Sequence, residues 1–196
     1  MSLLKPLDQK TIEADPRYAR ADEFMRSFEP LDNRSYEWVY EYAIRTFEMA
    51  DRSLDTLDAK AESMVRYLGP GSGILGVGLA SLAASEISVR KPELVIVAFG
   101  VMCILAAILA AFRALLPHPH TFGASVQDAT KVAGHYDDRD KCLGYCAAGL
   151  GVSIAVLRIV SEKKAQQLRW CHGLFFAGIA AFLIAGAWAI ASRVWC

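Results

Sequence analysis

A chain of 196 residues that is 54% hydrophobic has room for one helical membrane bundle and one modest soluble region, and none for an added enzyme domain of ordinary size. Its 21 basic and 21 acidic residues balance, so net charge gives no reason to expect nucleic-acid binding, and any electrostatic message lies in how the charges are distributed. Three uncharged apolar stretches, 68–85, 94–112 and 172–192, each approach the roughly 20 residues that a helix needs to cross a bilayer core about 30 Å thick. Nothing alternates like a barrel strand, so the expected fold is an all-α integral membrane protein with three transmembrane helices.

Residues 1–34 mix both charges, contain no apolar core of secretory-signal type, and show no sustained period around Pro6, Pro16 and Pro30. They are expected to start in the cytoplasm and to be mobile or only locally helical. From 35 to 68 a heptad seam runs through Tyr36, Tyr40, Ala43, Phe47, Ala50, Leu54, Leu57, Ala61, Met64 and Leu68, with Glu41, Arg45, Glu48, Arg52, Asp55, Asp58 and Glu62 between. That pattern predicts a long cytoplasmic helix packed along a partner helix, capped near Ser35. Gly69, Pro70, Gly71 and Gly73 predict a break or hinge at the membrane, before a transmembrane hairpin over 69–116 with spans at about 70–88 and 93–113. A cytoplasmic helical loop over 117–170 follows, with a short helix near 123–134. Its 140–169 stretch places Leu143, Cys146, Leu150, Ile154, Leu157 and Ser161 on one face. This stretch and the 35–68 helix are expected to pair as a cytoplasmic helical hairpin or coiled-coil extension. The third span occupies 171–193, with Trp188 and Trp195 in the interfacial belt.

Ten basic residues precede the first span, eight lie between Arg113 and Arg169, and only Arg90, Lys91 and Arg193 fall elsewhere. The positive-inside rule then puts the N-terminus and the long loop in the cytoplasm and the C-terminus outside, in a multi-pass protein of the inner membrane. A fourth span over 142–157 is the alternative. It is short, and it would strand Arg158, Lys163, Lys164 and Arg169 on the outer side.

Chemistry is sparse. His118, His120, His135, Cys142 and Cys146 include zinc-ligand types, but read better as loop histidines and small apolar helix residues, so no metal is expected. GPGSGILGVG lacks the Lys-Ser/Thr of a phosphate loop, and no nucleophile, base and orienting group assemble. No enzyme and no cofactor are expected. The spans carry no interior charge, which argues against ion-coupled transport. They do carry small residues at four-residue spacing, Gly76, Ala80 and Ala84, then Ala106, Ala107, Ala110 and Ala111, then Ala177, Ala181, Ala185 and Ala189. Such stripes let helices approach closely and leave surface for a homo-oligomer.

LDTLDAKAESMVRYLG before the first span and SEKKAQQLRWCHGLFFAGIAAFLIAG into the last resemble small bacterial membrane effectors, the Pycsar transmembrane effectors and the SMODS- and SLOG-associating transmembrane effector domains. The matching positions are Asp58, Lys60 and Ala61, and Glu162, Lys163 and Lys164. The first 35 residues have no counterpart, and the glycine-rich step at 69–73 is a departure. The resemblance implies a protein that senses a cyclic nucleotide or a cytoplasmic protein partner and perturbs the bilayer in anti-phage defence. In that reading Lys60, Lys163 and Lys164 hold an anionic ligand. The competing expectation is a non-enzymatic anchor or scaffold that recruits a protein.

Overall fold

The computed structural model describes residues 9–32, 34–84, 91–116 and 138–194, without the side chains of 70–84, 91–93, 189, 190 and 192–194. Among the described residues the chain is helical with no strand: α1 (Gln9–Glu13), α2 (Pro16–Ser27), α3 (Glu37–Ala84), α4 (Lys91–Leu115) and α5 (Arg139–Val194). Asp15 caps α2 by accepting the Arg17 N–H at 2.9 Å, with Pro16 pre-set for the first turn. Asp138 does the same for α5, accepting from the Asp140 N–H at 3.0 Å.

The proline-containing first segment is helical over 9–13 and 16–27, and Ile12 is buried. Two sequence expectations change here. The 69–73 step is helix, not a break, since α3 runs on to Ala84. Leu68 is held at 2% exposure in a packed cluster, and a backbone leaving water has no better partner than its own helix. No boundary separates a loop helix from the last span, because α5 is continuous and SEKKAQQLRW contains no breaker. The short helix expected near 123–134, the histidines at 118, 120 and 135, and the end of the first span at 85–88 lie outside the described residues.

Two compact units divide the chain, Met1–Leu57 with Pro117–Lys163, and Asp58–Leu116 with Lys164–Cys196. Both α3 and α5 contribute to each. The core of the first gathers Leu54 of α3, Val156, Leu157, Ile159 and Val160 of α5, and Ile12 of α1, with Tyr18, Phe47 and Ala50 packed against them. Glu37 meets Arg139 at 3.5 Å, and the Tyr36 ring lies so close over Gly144 that a Cβ there would stand 3.0 Å from it. Residue numbers on α3 and α5 thus rise together, and the two helices are parallel.

The second unit repeats this sense, with Asp58 beside Lys164 and Leu68 beside Cys171. There α4 runs the other way, Ala107 and Ala111 packing near Cys171 and Gly100 near Gly178 and Phe182. α3 and α5 are therefore not arms of a hairpin; they pair in the parallel, coiled-coil manner. Every seam position on α3 from Tyr36 to Leu68 is buried or half-buried.

Candidate functional site

Within the first unit, α2 places Arg17 between two carboxylates. Its Nε and Nη2 donate to Asp15 at 3.0 and 3.1 Å, and its Nη1 donates to Glu162 Oε1 at 2.7 Å. The hydrogen bond from Arg17 holds the Asp15 carboxyl below its ordinary range, with a smaller contribution from the charge of Lys163. Asp32 is lowered in the same sense by its bond to Lys141. Because folding depresses these pKa values, their stabilisation is fully present above the ordinary value of about 3.8 and is lost as pH falls through the lower folded value. A spin label at exposed Ala19 should therefore be immobile at neutral pH and gain mobility only below that range. Unchanged mobility down to pH 2 would mean that the carboxylates do not hold α2.

Within the second unit, Lys164 lies on the same α5 face as Leu168 and Cys171 and is 3% exposed. Its ammonium donates to Asp58 Oδ1, from a carboxylate side chain that is 42% exposed. At 3% exposure this cation has given up most of its hydration, so the Asp58 charge is what makes its burial tolerable. One turn on, Gln167 Oε1 is buried without a hydrogen-bond partner among the described groups.

The three lysines expected to share an anion are thus placed differently. Lys164 is buried and already answered by Asp58, Lys60 is exposed on α3, and Lys163 is half-buried on α5. Of the residues carrying the resemblance, Asp58 and Lys164 pair with each other, Glu162 pairs with Arg17, and Ala61 is fully buried. Sequence reasoning missed Arg17 and the burial of Lys164. The only signal for the second was its place one heptad after Leu157, four residues before Leu168 and one heptad before Cys171.

A shallow groove of about 720 Å³ on α1 and α2 is lined by Glu13, Asp22 and Glu23 with Tyr18, Ala19, Arg26 and Ser27. Its acidic lining disfavours a phosphate-bearing ligand. Among the described residues no group of three or more His, Cys, Asp or Glu is placed to hold a metal ion.

The helices over Leu94–Leu115 and Arg139–Trp188 are long and apolar enough to cross a membrane. The packing of the second unit is inverted relative to a water-soluble core. Much of its interior is small: Gly100, Ala107, Ala111 and Ala114 of α4 and Gly178, Ala181 and Ala185 of α5 are buried, beside the larger Leu68, Ile104 and Leu168. Its outer surface is large and apolar, with Leu94, Val95, Phe99, Met102 and Leu109 on α4 and Phe176, Leu183 and Ile184 on α5 all more than half exposed. Only 28% of the apolar α4 stretch is buried, whereas a soluble core helix of that composition would be mostly covered.

Of the expected packing stripe on α5, Ala181 and Ala185 are inside but Ala177 is exposed, and the close approach is made by Gly178. The side chain of Ala189, and those of Gly76, Ala80 and Ala84 on α3, lie outside the described residues, as do the side chains of Pro70, Gly71 and Gly73. Gly69 is exposed, and a Cβ built there would meet nothing within 4 Å.

No family model, no curated protein and no solved structure matches this chain.

Proposed function

We propose that this chain is a three-span inner-membrane protein whose first unit lies in the cytoplasm, receives a signal from a protein partner, and passes it along α3 and α5 to the spans, which perturb the bilayer in anti-phage defence. The observation that carries the membrane reading is the inverted packing of α4 and α5, small residues inside and large apolar ones outside, the arrangement that lipid solvent favours. Three spans are preferred to four because Ala147, Ala148, Ser153, Val156 and Leu157, the heart of the alternative fourth span, are buried. The α3 helix that shares their unit turns Glu41, Arg45, Glu48 and Arg52 outward, and such a surface belongs in water.

A protein partner is preferred to a cyclic nucleotide because the charge of Lys164 is taken up by Asp58 and the groove on α1 and α2 is acidic. The effector role itself rests on the resemblance. The scaffold alternative draws on a specific observation, the exposed Trp38, Tyr42 and Met49 on one α3 face with the first two rings stacked at 6.1 Å. Trp and Tyr are enriched in protein-recognition hot spots.

The test is membrane potential in bacteria expressing the chain from a tight promoter, with and without co-expressed nucleotide cyclases, beside phosphatase fusions at residues 125 and 196 that report topology. Depolarisation independent of every cyclase, with only the 196 fusion active, is the expected result. Depolarisation that needs one cyclase replaces the protein partner by a cyclic nucleotide. An intact potential with the protein in the membrane leaves the scaffold, and an active 125 fusion overturns the topology.

A further inference from the structure

Helices α1 and α2 are held by few contacts, and those contacts fall on both long helices of their unit. Ile12, 4% exposed, is the one buried residue of α1, and α2 has none. Ile12 belongs to one apolar cluster with Leu54 of α3 and with Val156, Leu157, Ile159 and Val160 of α5. Five residues downstream, Arg17 reaches Glu162 of α5 at 2.7 Å from a guanidinium fixed by Asp15. Met25 completes the track over α5, its methyl 3.8 Å from where a Gly149 Cβ would be.

We infer that residues 9–27 are a releasable strap that staples α3 to α5, and that its undocking is the step that frees the two long helices to move. This rests on the reading of the first unit as the receiver of a signal. A short segment with one fully inserted residue, Ile12, and only the half-buried Tyr18 and Met25 to support it opens at lower cost than the core beneath it. The ionic hold is weak for the same reason that it is reversible. Arg17 is 37% and Glu162 65% exposed, so salt screens the pair and its net worth is small. Removing the strap takes Ile12 out of the cluster that Leu54 shares with Val156 to Val160, which loosens the contact of the two helices and bares apolar surface of that cluster, against which Phe47 and Ala50 pack. A partner that competes for that surface would release the strap by mass action.

Hydrogen exchange of the full chain in phosphatidylethanolamine–phosphatidylglycerol vesicles tests the staple, on the wild type, Ile12→Asp, Arg17→Glu and the charge swap Arg17→Glu with Glu162→Arg. The expected result is exchange about tenfold faster over 9–27 in both single variants, about threefold faster over 43–57 and 150–163, and unchanged in α4. The charge swap restores the bond to position 162 but sets a carboxylate beside Asp15 in place of the two hydrogen bonds from Arg17, so it should recover most of the protection over 43–57 and 150–163 and part of that over 9–27. Fast exchange over 9–27 in the wild type, or release that leaves 43–57 and 150–163 untouched, overturns the staple. Faster exchange in α4 for Ile12→Asp together with no effect of Arg17→Glu would make Ile12 an ordinary core residue and also overturns it.

Membrane potential provides the second readout. Arg17→Glu should depolarise cells at lower expression than the wild type, and the charge swap should not. A released strap with a wild-type depolarisation threshold overturns its regulatory role. If no form depolarises cells at any expression, the membrane-perturbing reading fails, and the exchange rates still decide the staple.

Discussion

Lys164→Ala should lower the melting temperature of the detergent-solubilised protein by about 5–10 °C, the largest effect expected of any single side-chain truncation outside the apolar cores. Truncation removes the buried ammonium and its stem at a 3% exposed site and leaves Asp58 without its cation. Breaking a fully buried pair costs about 3–5 kcal/mol. The Asp58 side chain is 42% exposed and is partly rehydrated, which brings the figure to about 2–3 kcal/mol, at roughly 2–4 °C per kcal/mol for a chain of this size. Removing both charges together, as Asp58→Asn with Lys164→Met, should be neutral or stabilising, because the apolar methionine stem refills the space without a desolvated cation. What the pair supplies instead is register, since a lone charged residue in a heptad interface fixes which turns face each other. A Lys164→Ala variant as stable as the wild type would show that the ammonium escapes to water.

Gly178→Ala should destabilise the second unit by about 1–3 kcal/mol, the range for overpacking a tight contact. A Cβ at 178 would stand 2.8 Å from Ile104 Cγ1 and 3.1 Å from the Gly100 carbonyl oxygen, and the backbone atom has nowhere to retreat. Gly100→Ala should cost less, since its nearest contact, Phe182 Cε2 at 3.1 Å, is the movable end of a ring. Gly173→Ala and Gly186→Ala meet nothing within 4 Å and serve as neutral controls. Thermal unfolding of the four variants in one detergent gives the ranking, and equal stability at 178 and 173 would remove the close crossing from the account. If α4 and α5 cross a membrane as proposed, the effect is larger there than in water, because without a hydrophobic drive between helices in lipid close packing carries most of the association.

These two positions also show where sequence patterning stops being informative. On α3 the seam was readable because charged residues fill the positions between its apolar ones, so that only one face fits. On α5 the stretch 142–157 is uncharged all round, and of the expected face Leu157 is fully buried while Leu143, Cys146, Leu150, Ile154 and Ser161 are half-buried. The fully buried positions include Gly144, Ala147, Ala148 and Ser153. Small residues admit neighbours closely, as Tyr36 over Gly144 shows, yet carry little weight in a hydrophobic period. The same ambiguity misplaced one position of the small-residue stripe: Gly178 takes the inward place expected of Ala177, while Ala181 and Ala185 are inside.

Lysines posed the opposite problem. Lys60, Lys163 and Lys164 read as equivalent surface charges, because the sequence states that a cation is present but not that Asp58 stands beside it. Helices as short as α1 carry too few residues for any period, so the burial of Ile12 had no local signature.

The parallel sense of α3 and α5 has an electrostatic consequence. An antiparallel pair places each helix's positive end beside the other's negative end, whereas a parallel pair brings two positive ends together, each worth about half a unit charge. In the first unit those ends are marked by the meeting of Glu37 and Arg139. The chain puts carboxylates there on both helices, Glu37 in the first turn of α3 and Asp140 in that of α5, with Asp138 accepting from the Asp140 N–H. This acidic collar offsets a repulsion that the topology itself creates, and it makes the shared start of the two helices the place where added positive charge would do most to push them apart.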